Sequence, residues 1–164
     1  MLDDEHEEIF QKMNVLQSLL TNLRYEGKPR LGKNLKDVGK ALAFLKEKTK
    51  KHFLLEEKVI FPFLETHIPR LNPVLRLFES EHQGFQCQLR NLEVSLKEAS
   101  KKRVCPESGQ SAERIRENGI HMIAFLRYHL QAENGTIYRS SEMDLRPDEI
   151  ALLKKEIQER SDLQ

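Results

Sequence analysis

Cysteine is nearly absent from this sequence: Cys87 and Cys105 are the two in 164 residues. No CxxC or other paired spacing is there to build a zinc site or a disulfide framework, which excludes the small stapled folds. Cys87 is expected on a helix as a small buried residue, and Cys105, before Pro106, in a loop. Glycine is scarce too, with seven residues, and no stretch alternates apolar with polar residues. Together these argue against a sheet protein. No apolar run approaches the length of a membrane span, so no membrane association is expected. Leu2–Glu8 is acidic where a secretory leader is basic and then apolar, so the expected location is a reducing cytoplasm. A surplus of one charge is also lacking. The 27 basic and 26 acidic residues leave a formal net charge of +1. Such a balance gives no general attraction to a polyanion, and nucleic acid is not an expected partner. The lysines of Lys46–Lys51 and the run Lys101–Arg103 read as solvated helix faces and ends.

What the chain does contain is helical periodicity. Hydrophobic residues make up 38% and charged residues 32%, the mix of amphipathic helices with solvated outer faces. The length fits one domain with one core. A first helix is predicted from about Asp3 to Tyr25, with Ile9, Phe10, Met13, Leu16, Leu20 and Leu23 inward, closed by Gly27, Pro29 and Gly32. A second is predicted from about Lys36 to Thr66, capped by Asn34, with Ala41, Phe44, Leu45, Leu55, Val59 and Phe63 inward. Pro62 lies inside it and should kink or end it. The third starts at Asn72-Pro73, a cap followed by proline, and runs to about Ser100 through Leu75, Phe78, Phe85, Leu89, Leu92 and Leu96. The fourth covers about Ala112 to Glu142, with Ile115, Met122, Phe125, Leu126, Thr136 and Ile137 inward. Gly135 is unfavourable in a helix interior, and the backbone there is expected to be irregular.

Four helices of similar length with short connections predict an all-α, up-down-up-down four-helix bundle. A short extra C-terminal helix, about Asp148 to Arg160, follows Pro147. It is expected on the outside of the bundle or as an oligomer contact, which leaves a homodimer open. The predicted division is 1–142 for the bundle and 143–164 for the C-terminal helical extension.

Six histidines punctuate these helices. Two begin a His-x-x-x-Glu pair, His52/Glu56 and His129/Glu133. Residues four apart share a helix face, with Cβ atoms about 5–6 Å apart, so an imidazole nitrogen and a carboxylate oxygen can aim at one ion. Two pairs are weak evidence by number, since about one is expected by chance from this composition. Placement is stronger evidence. His6 precedes Ile9, Phe10 and Met13 on its stripe. His52 sits between Leu45 and Leu55. His82 lies between Phe78 and Phe85, and His129 follows Met122 and Phe125. Glu56 and Glu133 share those stripes. Each helix therefore sends one histidine into the core, and two helices add a carboxylate.

Taking an ion out of water costs several kcal/mol, and an unpaired carboxylate in an apolar bundle would instead neutralise. Cations that use the lone pairs explain all six residues together. Nitrogen and carboxylate donors without thiolate suit iron, manganese or zinc. With both glutamates bridging, four imidazole nitrogens and four carboxylate oxygens become donors, and an oxo or hydroxo bridge adds a shared ligand. Two octahedral ions would then keep about two positions open for an outside ligand.

The order of these residues on four successive helices resembles the hemerythrin-like HHE cation-binding domain. So does the local text: DEHEEIF around His6, HFLLEEKVIFPFL from His52, ESEHQGF around His82 and HLQAENGTIY from His129. The resemblance spans about residues 1–142. It implies a four-helix bundle with a non-heme di-iron site held by His6, His52, Glu56, His82, His129 and Glu133, the glutamates bridging. The ligand pattern is closer to the bacterial iron-centre repair proteins than to the invertebrate oxygen carriers. The carriers have a further histidine on the third helix, where Phe78 and Gln86 flank His82 at four residues, and an aspartate in place of Glu133. On the fourth helix the family's second acidic residue and apolar-Pro segment give way to Asn134, Gly135 and Tyr138. No counterpart of the extra leading domain of many repair proteins is expected, so a repair function, as opposed to a sensing one, is not expected to carry over.

The expected function is a di-iron protein that binds or senses oxygen or nitric oxide, or responds to iron or redox stress. The alternative is a di-iron enzyme or iron donor, in peroxide or nitric oxide reduction or iron–sulfur repair. A third reading is a structural module with adventitious metal. Outside the six, His121 lies eight residues before His129, about 80° around the helix, and reads as an ordinary helix-side residue. His67 is expected at the surface or as a cap. Glu81 is expected as a surface carboxylate, and Tyr25, Tyr128 and Tyr138 as packing residues with their hydroxyls at the rim.

Overall fold

A computed structural model of the chain describes residues 3–23, 28–101 and 108–161. Tyr25, Gly27, Cys105, Pro106 and most of the Lys101–Arg103 run lie outside these residues. The described residues contain helices and no strand. The first helix, α1 (Asp3–Asn22), buries Ile9, Met13, Leu16 and Leu20, with Leu23 just beyond it. Phe10 is half-buried.

The second helix, α2 (Lys28–Leu55), begins eight residues ahead of expectation. Pro29 falls in its first turn, where a missing N–H costs no hydrogen bond. Pro29 and Gly32 thus belong to the opening of α2 and do not close α1, and Asn34 sits inside the helix, not at its cap. The inner stripe also differs over the first half. Leu35, Val38, Leu42 and Leu45 are buried, whereas Phe44 is 39% exposed. The run Ala41–Leu45 offers two adjacent apolar registers. Phe44 takes the outer one, where its ring lies 4.4 Å from the Lys12 ammonium.

Pro62 does not end the helix. The turn Glu56–Ile60 widens to a π-helix, in which the Phe61 N–H donates to the Glu56 carbonyl, and α3 (Phe61–His67) continues with Pro62 in its first turn. The extra residue in the turn lets the chain stay helical past a residue with no N–H to give. The break comes at Ile68 (φ −133°, ψ 68°), and a 3₁₀ turn, Pro69–Leu71, leads into α4 (Asn72–Lys101). Asn72 has helical dihedrals (φ −49°, ψ −44°), so it continues that turn and is not an extended cap. All six expected inner residues of α4 are buried. Cys87 is on α4 but exposed, contrary to expectation. It lies five residues after His82, which turns it about 140° from the inner face.

The last long helix, α5 (Ser108–Glu133), passes through a second π turn, Asn134–Tyr138, into α6 (Arg139–Asp144). The expected irregularity at Gly135 is this π turn. Ile115, Met122, Leu126 and Ile137 are buried, and Thr136 is exposed. The final helix is α7 (Pro147–Ser161).

α1 packs on α2, α2 on α4, α4 on α5, and α5 back on α1. Gly119 sets the last approach: a Cβ there would lie 2.5 Å from Leu20 Cδ1. α7 packs on the Glu56–Ile60 turn and on α2, burying Leu153. Two apolar clusters result. One runs from Ile9 through Leu45, Phe85 and Leu126; the other gathers Leu55, Phe61, Phe78, Ile137 and Leu153. On α2, α4 and α5 the inward polar residues fall where one cluster gives way to the other.

Candidate metal centre

His6, His52, Glu56, His82, His129 and Glu133 are each at most 2% exposed. They converge as two groups, one of His6, His52, Glu56 and Glu133, the other of His82, His129 and Glu133. In each group the facing nitrogen and oxygen atoms lie within 4.8 Å of one another. Each glutamate turns its two oxygens to opposite sides. Glu56 Oε1 is 3.4 Å from His52 Nε2, and its Oε2 is 3.4 Å from His82 Nε2. Glu133 Oε2 is 3.8 Å from the Nε2 atoms of His6 and His52, and its Oε1 is 3.2 Å from His129 and 3.6 Å from His82. Donors about 2.0–2.2 Å from a shared ion stand about 3 Å apart when adjacent, so these spacings fit a metal site.

The outer nitrogens are held as carefully. Each Nδ1 meets a residue that is the chain neighbour of an inner one, on the preceding helix around the bundle. Glu5, beside His6, reaches His52 at 3.2 Å. Glu57, beside Glu56, reaches His82 at 2.9 Å. Glu81, beside His82, reaches His129 at 2.7 Å. Asn134, beside Glu133, reaches His6 at 3.1 Å. A carboxylate or amide oxygen accepts only, so Nδ1 donates, and a neutral ring then turns the Nε2 lone pair toward the centre. Glu81 is therefore a partner of the site and not a bystander on the surface. Tyr138 is likewise buried, not at the rim, and its hydroxyl donates to Glu56 Oε1 at 2.5 Å. The signal for these partners was the polar residue beside an inner His or Glu, a position that single-helix reasoning sends to the surface.

Among the described residues, five buried side-chain atoms have no hydrogen-bond partner: Glu56 Oε2, both oxygens of Glu133, and Nε2 of His82 and of His129. All five belong to this cluster. Buried polar atoms are nearly always paired, so such a concentration marks a place built for a ligand. Protons respond to the same field. Burial opposes charge on His52, but Glu56, Glu133 and Glu5 outweigh it and carry the pKa up to about 10. His82 is carried up to about 9 against burial by Glu133, Glu56 and Glu57. His6 goes down to about 4, through burial and the adjacent His52. Burial would raise Glu133, yet its contacts with His129, His52 and His82 hold it well below the usual carboxylate range.

His121 is exposed and apart from the cluster, and Tyr128 is 71% exposed. His67 is exposed, stacks on Phe63 and bonds the Phe63 carbonyl, as a helix-end residue does.

The hemerythrin HHE cation binding domain matches residues 1–141. The chain belongs to the hemerythrin HHE cation-binding family. A hemerythrin domain is a helical bundle that binds metal cations, typically iron, and the buried His/Glu groups fit that role. The hemerythrin match ends within α6, before α7. No curated relative matches the chain. Among the described residues no helix is long and apolar enough to cross a membrane.

Proposed function

We propose that the chain is a non-heme di-iron protein. His6, His52, Glu56, His82, His129 and Glu133 hold two iron ions, and oxygen or nitric oxide is the ligand bound or sensed. The observation that carries this reading is the division of each glutamate between two histidine pairs. Glu56 and Glu133 would each serve both ions, His6 with His52 would hold one, and His82 with His129 would hold the other. Manganese or zinc could enter the same nitrogen and carboxylate donors, and iron is the cation typical of the family. Bound iron would supply redox change and open coordination positions for a diatomic ligand.

The chain's own residues set the terms. Glu5, Glu57, Glu81 and Asn134 fix the imidazole rings with Nε2 inward. Phe53, stacked at 3.8 Å on His82, and Phe61 keep that histidine dry. Tyr138 holds Glu56. We take the architecture as an up-down-up-down bundle of α1, α2, α4 and α5 over residues 1–142, with 143–164 as an extension whose α7 covers the Glu56 turn. The exposed thiol of Cys87 fits a reducing cytoplasm.

The test is iron content with ligand response. Two irons per chain are expected, with near-ultraviolet absorption that changes on adding oxygen or nitric oxide to reduced protein. In Glu56→Ala or Glu133→Ala at least one iron should be lost. Full retention of both irons in either variant would contradict bridging. Turnover of peroxide or nitric oxide would move the protein to the enzyme class.

A further inference from the structure

The two halves of the cluster are unequal. On the His82/His129 side none of the four inward donor atoms makes a hydrogen bond, and they face one another only across 3.2–3.6 Å: Nε2 of both histidines, Glu56 Oε2 and Glu133 Oε1. On the His6/His52 side three of four are engaged. His6 Nε2 and His52 Nε2 contact each other at 3.1 Å, and Glu56 Oε1 accepts from Tyr138. A cation entering there must break the hydrogen bond between the two imidazoles, whose 3.1 Å spacing already suits adjacent donors, and must share Oε1 with a phenol. The outer partners differ in the same direction. His82 and His129 are each backed by a carboxylate, Glu57 and Glu81. His52 is backed by Glu5, but His6 by the neutral amide of Asn134. A charged partner makes a hydrogen bond roughly twice as strong and renders the imidazole a better donor.

We infer that the centre has one tight and one labile cation position: His82/His129 fills first and empties last, and His6/His52 exchanges with the outside. Asn134 and Tyr138 are the positioning residues that set the difference. This rests on the two-cation reading above. It gives the protein a releasable second ion, and so a response graded by the concentration of free ferrous iron.

The experiment is titration of metal-free protein with Fe(II) under anaerobic conditions, following heat and bound metal, in wild type, Asn134→Asp, His6→Ala and His129→Ala. Wild type should show two phases at least tenfold apart. Asn134→Asp, an exposed substitution that gives all four histidines a carboxylate, should tighten the weaker phase about tenfold, within the range that outer partners command, and leave the tighter one in place. His6→Ala should lose the weak phase and His129→Ala the tight one. Two equal phases, or an Asn134→Asp protein that tightens the strong phase, overturns the inference and spares the two-cation reading. Saturation at fewer than two ions in wild type removes both.

Discussion

At the residue scale, two things decide the centre: what each buried lone pair faces, and what stands behind each imidazole. The six inward residues were legible in the sequence because each falls on an apolar stripe, where a polar side chain needs a reason. The outer partners were not. Glu81 is adjacent to His82 and was assigned to the surface. It faces the next helix, and nothing in one helix's periodicity says what the next will present. Tyr138 was misplaced because an α-helical count from Glu133 puts Ile137 inward, whereas the π turn brings in Ile137 and Tyr138 together. The outer carboxylates carry a prediction. Glu81→Gln keeps the shape of the side chain but loses its charge, and metal affinity should fall about 10–100-fold. Competition with a calibrated chelator measures it, and unchanged affinity would reduce Glu81 to a bystander. Tyr138→Phe leaves Glu56 Oε1 buried without its donor. The metal-free protein should lose about 1–3 kcal/mol in denaturant unfolding, and the loaded protein less.

Titration of the metal-free protein follows from the same contacts. The pKa values of His52 and His82 are raised, to about 10 and about 9, above an unfolded value of about 6.5. Their protonated contacts therefore stabilise fully below the unfolded value, and that contribution is lost as pH rises through the folded values. His6 is lowered to about 4. It stays neutral while the unfolded chain takes a proton, so its stabilising effect fades as pH falls from about 6.5. Thermal scans of metal-free protein should thus show a midpoint that falls from pH 7 to 10. A midpoint that stays level across that range would mean the carboxylates are not balanced by these imidazoles.

At the element scale, the two π turns stand out. Each starts at or directly after the glutamate of a His-x-x-x-Glu pair, at Glu56 and after Glu133. Single-turn π segments inside helices gather at functional sites. Here each turns two consecutive residues inward, Ile60 with Phe61 and Ile137 with Tyr138, and so closes one end of the site. The sequence signalled both places, through Pro62 and Gly135, without revealing that the chain would widen its turn and continue. The early start of α2 was hidden for a related reason: a proline and a glycine close together read as a stop, yet Pro29 suits a first turn. Helix spacing carries a further prediction. Gly119→Ala gains helix propensity of about 1 kcal/mol but sets a methyl 2.5 Å from Leu20 Cδ1, on a fully buried side chain. Overpacking typically costs about 1–3 kcal/mol, so a net loss of up to about 2 kcal/mol is expected in denaturant unfolding. A gain would show that α1 and α5 move apart freely.

At the scale of the whole molecule, apolar packing alone does not account for the fold. Two hydrophobic clusters meet at a layer of four imidazoles and two carboxylates, and bound cations would make that layer favourable. Binding to the folded chain alone stabilises it by mass action, so removing metal should lower the thermal midpoint, and restoring ferrous iron should recover it. The family and the helical character were legible because the ligand order repeats on successive helices. That a short last helix would lie against the bundle was legible too; that it covers the Glu56 turn was not, because a short amphipathic helix carries no record of the surface it covers. The proposed centre is two iron ions between these six side chains. An anomalous-scattering map at the iron edge, from crystals of the metal-loaded protein, tests it most directly. Two peaks are expected, one bordered by His6 and His52 and the other by His82 and His129, with Glu56 and Glu133 reaching both. A single peak, or peaks away from these residues, would contradict it.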